Sequence, residues 1–144
     1  MTIIRNIIAF IVGVVAGSAV NMGIIMAGMA AIPPPGGNST EADVIAASVP
    51  LYEPKHFITP FLAHAIGTLA GALIAYLIAG SYKPIVAYVV GALFLAGGIA
   101  ACFMIPAPAW FMVLDLVAAY IPMAYLATLI GRRITPTALS PVMA

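Results

Sequence analysis

Apolar residues run along this chain in long unbroken stretches, not in the short alternations of a water-facing helix or strand. Four stretches hold about 20 helical residues or more, enough to cross a bilayer core of about 30 Å. They cover about residues 3–32 (apolar from Ile7 to Ile32), 57–79, 84–105 and 109–130. Proline and glycine punctuate the gaps: Pro33-Pro34-Pro35-Gly36-Gly37, Gly80-Ser81-Tyr82-Lys83-Pro84 and Pro106-Ala107-Pro108. Proline cannot feed a helical ladder, so these runs predict corners. Thr59-Pro60 predicts the start of the second helix, with the threonine as N-cap. The pattern predicts an all-α integral membrane protein, a four-transmembrane-helix bundle forming one domain over residues 1–144. The first stretch is far longer than the 7–15 residue core of a signal peptide and is predicted to remain as a helix.

The loop of residues 33–56 is the one sizeable segment outside the four stretches. Asn38-Ser39-Thr40-Glu41 reads as a capping box for a short helix through about Val49, ended by Pro50. Val44, Ile45 and Val49 fall at helical spacing, which predicts an amphipathic helix lying on the membrane surface.

Composition agrees with a lipid solvent. The chain is 65% hydrophobic and 6% charged, too little charge for an ordinary water-facing surface. A net charge of +1 leaves no broad basic face for nucleic acid. The single cysteine, Cys102, has no partner for an internal disulfide and reads as a packing residue. Arg5, Lys83 and Arg132-Arg133 fall on one side of a four-span chain, and Lys55 alone on the other. By the positive-inside rule both termini are expected in the cytoplasm, with the 33–56 loop outside. Tyr52 and Trp110 would then anchor the outer interface and Tyr82 the inner one.

Small residues recur at four-residue intervals. Ala63, Gly67, Gly71, Ala75 and Ala79 form one face of the second helix, and Ala9, Gly13 and Gly17 one face of the first. Helices in lipid associate through close packing, so these faces predict an antiparallel hairpin of helices one and two.

The candidate chemistry sits in the apolar spans. Asp115 is the one charge in the fourth stretch, and a carboxylate in hydrocarbon marks a functional-site hypothesis. It lies six residues past Ala109, roughly 9 Å deep at 1.5 Å per residue. His64 is four residues past Pro60, roughly 6 Å deep, and Asn21 roughly 16 Å. Thr68 is one turn below His64 on the same face. Glu53 and His56 are placed at the mouth of the second helix. These six residues are expected to share an outer-leaflet polar cluster. His64 is the natural donor to Asp115, with Asn21 and Tyr120 as further partners. Pro122 removes the hydrogen bond that the Ala118 carbonyl would accept, freeing that oxygen to bind something.

Several segments together carry a resemblance: Asn21-Met22-Gly23, Pro33-Pro34-Pro35-Gly36, Tyr52-Glu53-Pro54-Lys55-His56-Phe57, Phe61-Leu62-Ala63-His64 and Phe111-Met112-Val113-Leu114-Asp115-Leu116. They resemble a group of uncharacterised bacterial four-span membrane proteins of about this length. The resemblance implies a bacterial inner-membrane location and supplies no activity or cofactor.

Three functional readings follow. The first is a non-catalytic homo-oligomer or membrane-complex subunit, whose polar cluster packs the bundle and binds a small ligand or cation. The second is a proton- or cation-coupled transporter built by oligomerisation. The third is a metalloenzyme using His/Glu/Asp, with His56 and His64 as metal ligands. Their eight-residue separation across Thr59-Pro60 is not a known ligand spacing. No nucleophile elbow, phosphate loop or dinucleotide fingerprint is present. The sequence favours the first reading.

Overall fold

The structure, a computed structural model, describes residues 2–135. The single-domain expectation over 1–144 also takes in Met1 and residues 136–144, which lie outside the described residues. The described chain is all-helical: α1 (Thr2–Ala31), α2 (Ala42–Ser48), α3 (Ile58–Ile78), α4 (Lys83–Met104), α5 (Ala109–Ala118) and α6 (Ile121–Ile134). Short 3₁₀ turns at Val49–Leu51 and Pro54–Phe57 connect α2 to α3. Four stretches are long and apolar enough to cross a membrane: Thr2–Ala31, Pro54–Ile78, Lys83–Met104 and Ala109–Ile134. Their outer surface is apolar as well, with Ile3, Val15, Phe103, Val113 and Val117 all exposed. Such a surface needs cover other than water.

Helix α3 is the centre of the bundle. It packs most extensively on α1 and then on α6 and α4, while α4 and α6 pack on each other. Glycine makes the α1–α3 contact possible. A Cβ at Gly17 would stand 2.7 Å from the Gly67 carbonyl oxygen, and one at Gly71 would stand 2.7 Å from the Gly13 carbonyl oxygen. Both stripes read in the sequence meet within one chain, and Ala9, Ala63, Ala75 and Ala79 are wholly buried. A second seam joins α3, α4 and α6 through Ala72, Tyr76, Ala87, Ala124 and Ala127.

The basic ends of the helices gather at one end of the bundle. Arg5 Nε donates to the Ile78 carbonyl (2.6 Å). Lys83 Nζ lies 5.6 Å from the Tyr76 ring, and Gly131, beside Arg132, packs against that same ring. Asn6 fixes the α3–α4 corner, accepting from the Gly80 N–H (2.9 Å) and donating to Ser81 Oγ (3.1 Å). Tyr82, at φ 48°, turns the chain into α4. The opposite end is closed by aromatic packing of Phe57 on Tyr52, Trp110 and Phe111.

Three local expectations need correction. The fourth span is not one helix over 109–130. It breaks at Ala119-Tyr120, where Tyr120 adopts φ −119°, ψ −79°, and α6 restarts with Pro122 in its first turn. The ladder closes with the Ala119 N–H on the Asp115 carbonyl and resumes with the Ala124 N–H on the Tyr120 carbonyl. The second span does not start at Thr59-Pro60. Phe57 is its N-cap, and the Pro54–Phe57 turn leads into it. Helix α2 starts at Ala42 with Glu41 as N-cap and no side-chain cap. Ser39 Oγ instead accepts the Glu41 N–H (3.2 Å) just ahead of it. The helix ends at Ser48, and Pro50 falls inside the following turn.

Candidate functional site

The break in the fourth span builds the site. It leaves Asp115 in the last turns of α5 and turns the Tyr120 side chain back toward it. Asp115 is 5% exposed and takes two hydrogen bonds. His64 Nδ1 lies 2.9 Å from both carboxylate oxygens, and the Tyr120 hydroxyl donates to Oδ2 at 2.9 Å. The His64 and Tyr120 rings stack with centroids 5.8 Å apart. Glycine makes room here too, because a Cβ at Gly98 of α4 would run into the Tyr120 phenol. The carboxylate's neighbours are thus supplied by α3 and by the α5–α6 corner, with Gly98 as the floor.

In front of this group lies a cavity of about 400 Å³, between α1, α3 and α4. Its polar wall is Ser18, Asn21, His64, Thr68 and Tyr120, and its apolar wall includes Leu93 and Phe94. The volume falls in the range of roughly 300–1,000 Å³ typical of small-molecule sites. Asn21 Oδ1 and Thr68 Oγ1 are buried without a hydrogen-bond partner among the described residues. Thr68 is 1% exposed. Asp115 does not line the cavity and acts on it through His64 and Tyr120.

Four of the six residues singled out in the sequence therefore meet around this space: Asn21, His64 and Thr68 on the wall, and Asp115 behind it. Asn21 does not bond Asp115. The other two, Glu53 and His56, are elsewhere. His56 Nδ1 accepts the Glu53 N–H (2.9 Å), and the His56 N–H donates to the Glu53 carbonyl (2.9 Å). This capping fixes the turn that leads into α3. Glu53 faces out and pairs with Lys55 at 3.0 Å. The hydrogen bond and charge of Lys55 hold the Glu53 carboxyl below its ordinary range. His56 borders a separate cleft of about 100 Å³ with Tyr52 and Thr59. Among the described residues no three His, Cys, Asp or Glu side chains come together as a metal site. The pairing of His56 with His64 as metal ligands has no support in this geometry.

Sequence reasoning missed Ser18, Phe94, Gly97 and Gly98. The available signal was the Gly97-Gly98 pair, two adjacent glycines in the interior of an apolar helix. One makes room for Tyr120. A Cβ on the other would meet nothing within 4 Å and would point into open space.

No family model, no curated protein and no solved structure matches this chain. The resemblance to bacterial four-span proteins finds no relative to support it. The fold and the cavity are the ground on which function is argued.

Proposed function

We propose that this chain is a non-catalytic, multi-pass membrane protein that holds a small ligand in the cavity between α1, α3 and α4. The observation that carries this reading is the cavity itself, about 400 Å³ of space walled by Ser18, Asn21, His64, Thr68 and Tyr120 within an otherwise apolar bundle. A concave space lined mainly by apolar side chains, with a few convergent polar groups, is the ordinary form of a small-molecule site. The broken helix fits as well, since irregular backbone at membrane depth is tolerated where it borders protein or a cavity.

The setting of this reading is a bacterial inner membrane with both termini in the cytoplasm. The gathering of Arg5, Lys83 and Arg132-Arg133 at one end supports that direction. The chain works as a homo-oligomer or as a subunit of a membrane complex. Ala92, Ala96 and Ala100 lie exposed at four-residue spacing on α4, a face suited to close helix contact. A second reading, a proton- or cation-coupled transporter, is favoured by one specific observation: His64 and Tyr120, both hydrogen-bonded to Asp115, line the cavity.

Native mass spectrometry of the full chain from mild detergent tests the proposal. The expected result is a small-molecule adduct that is lost in Gly97→Leu, a change that fills the cavity. An adduct kept by that variant, or none on the parent protein, counts against it.

A further inference from the structure

Every acidic side chain of this chain lies away from its basic end. Four occur in the sequence: Glu41, Asp43 and Glu53 in the 33–56 loop, and Asp115 inside the bundle. Glu53 pairs with Lys55, and Asp115 is held by His64 and Tyr120. At the opposite end Lys83, Arg132 and Arg133 have no carboxylate partner among the described residues. Arg5 is there too, but it caps the end of α3 through the Ile78 carbonyl. The other three cations have no counter-charge that an acidic side chain of this chain can supply.

Helix packing brings these cations to one seam. A Cβ at Gly91 of α4 would stand 2.7 Å from the Cβ of Ala124 of α6, and Ala87 and Ala127 are buried together with Tyr76. The two helices run antiparallel. Lys83 is eight residues back from Gly91 and Gly131 seven residues on from Ala124, roughly 12 Å and 10 Å along the two axes. That register sets Lys83 level with Gly131, and the Tyr76 ring of α3 joins them. Lys83 Nζ lies 5.6 Å from the ring centroid, within reach of a cation–π contact, and Gly131 packs on the same ring. The ring is 5% exposed, so it is a fixed platform for the ammonium. Arg132, four residues past the buried Thr128, continues the packed face of α6 to this seam. Ile85 of α4 and Ile130 and Ile134 of α6 are exposed within three residues of the cations.

The geometry points to the basic end of the α4–α6 seam as a binding site for an anionic phospholipid. Basic pockets between membrane helices are a general setting for such headgroups. Lys83 meets the phosphate as a point charge, Arg132 meets it through paired N–H bonds, and Arg133 adds charge beside them. The acyl chains run along Ile85, Ile130 and Ile134. A lipid suits the seam better than a free phosphate ion, because the apolar flank continues directly from the cations along the spans. The site stands apart from the cavity between α1, α3 and α4, and does not depend on the reading given to that cavity.

The test is a lipid titration of the full chain, stripped of lipid in a neutral detergent and read by native mass spectrometry. The probes are dioleoylphosphatidylglycerol, dioleoylphosphatidylcholine and inorganic phosphate. The anionic lipid should bind about fivefold or more tightly than the zwitterionic one. That preference should disappear at about 1 M salt, where the screening length is about 3 Å. Lys83→Gln and Arg132→Gln should each weaken anionic-lipid binding about fivefold, the effect of one cation beside an anionic headgroup. Lys83→Arg, which keeps the charge, should retain it. Arg5→Gln and Lys55→Gln remove the same charge away from the seam and should leave it unchanged. Equal binding of the two lipids overturns the inference. So does a loss in Arg5→Gln as large as that in Lys83→Gln, because net charge would then act without the seam. A loss in Lys83→Arg equal to that in Lys83→Gln would trace the effect to packing on Tyr76 and overturn it too. Inorganic phosphate binding as tightly as the anionic lipid would leave an ion site in place of a lipid site.

Discussion

Thr68 shows how a single polar side chain can work against stability. Its hydroxyl is buried without a partner, and valine has nearly the same shape. Thr68→Val should therefore raise the ligand-free protein's stability, by up to about 1 kcal/mol in a denaturation series, because it removes an unsatisfied polar atom. A loss of stability would mean that the hydroxyl has a partner after all. Tyr120→Phe should act differently. It takes away one of the two donors to Asp115 and should cost about 1.5–3 kcal/mol, the range for a hydrogen bond to a charged group. At this scale the sequence was partly legible. Asp115 and His64 stand out because ionisable groups are costly in apolar stretches, and Thr68 follows from helical spacing. Glu53 and His56 were drawn into the cluster by depth along the chain alone. Depth says nothing about direction across the bundle, and backbone capping had already engaged His56.

Between elements, glycine position decides which substitutions matter. Gly17 is pressed against the Gly67 carbonyl and the Phe94 ring, whereas a Cβ at Gly23 meets nothing. Gly17→Val should cost about 1–3 kcal/mol by overpacking the α1–α3 contact. Gly23→Ala should instead gain roughly 0.5–1 kcal/mol from helix propensity. Equal effects in a thermal-melt comparison would contradict the packing described. Gly97→Leu is the informative third case, because open space receives its side chain. It should keep the helical fold and melting temperature while abolishing ligand binding, as read by titration. The small-residue faces of the first two helices were legible because a four-residue period survives in the sequence. The break of the fourth span was only hinted at by Pro122. A proline in an apolar run can bend a helix or end it, and here burial of Ala119 and Tyr120 against α3 and α4 settles the matter. The start of α3 was misplaced for a related reason. Thr59-Pro60 is a valid start signal, but Pro54 opens a 3₁₀ turn that reaches the helix first.

For the molecule as a whole, the asymmetry of its ends predicts a direction of insertion. Arg5, Lys83, Arg132 and Arg133 gather at one end, and the other carries only Lys55, whose charge is paired with Glu53 at 3.0 Å. Basic residues near span ends resist translocation, so these four basic residues should stay in the cytoplasm. The cavity then lies nearer the outer end, with α2 and the Pro54–Phe57 turn above it on the exterior side. Cysteine mapping reads this directly, since Cys102 is the only native cysteine and can be changed to alanine. In that background Asn38→Cys and Thr2→Cys place thiols at exposed positions on opposite ends. A membrane-impermeant maleimide applied to intact cells should label Asn38→Cys, and should label Thr2→Cys only after permeabilisation. The reverse pattern would put the basic end outside and turn the cavity toward the cytoplasm. Labelling of both positions in intact cells would mean the four apolar stretches do not cross the membrane as separate spans. The route by which any ligand reaches the cavity depends on that result, because it determines which compartment the near end of the cavity faces.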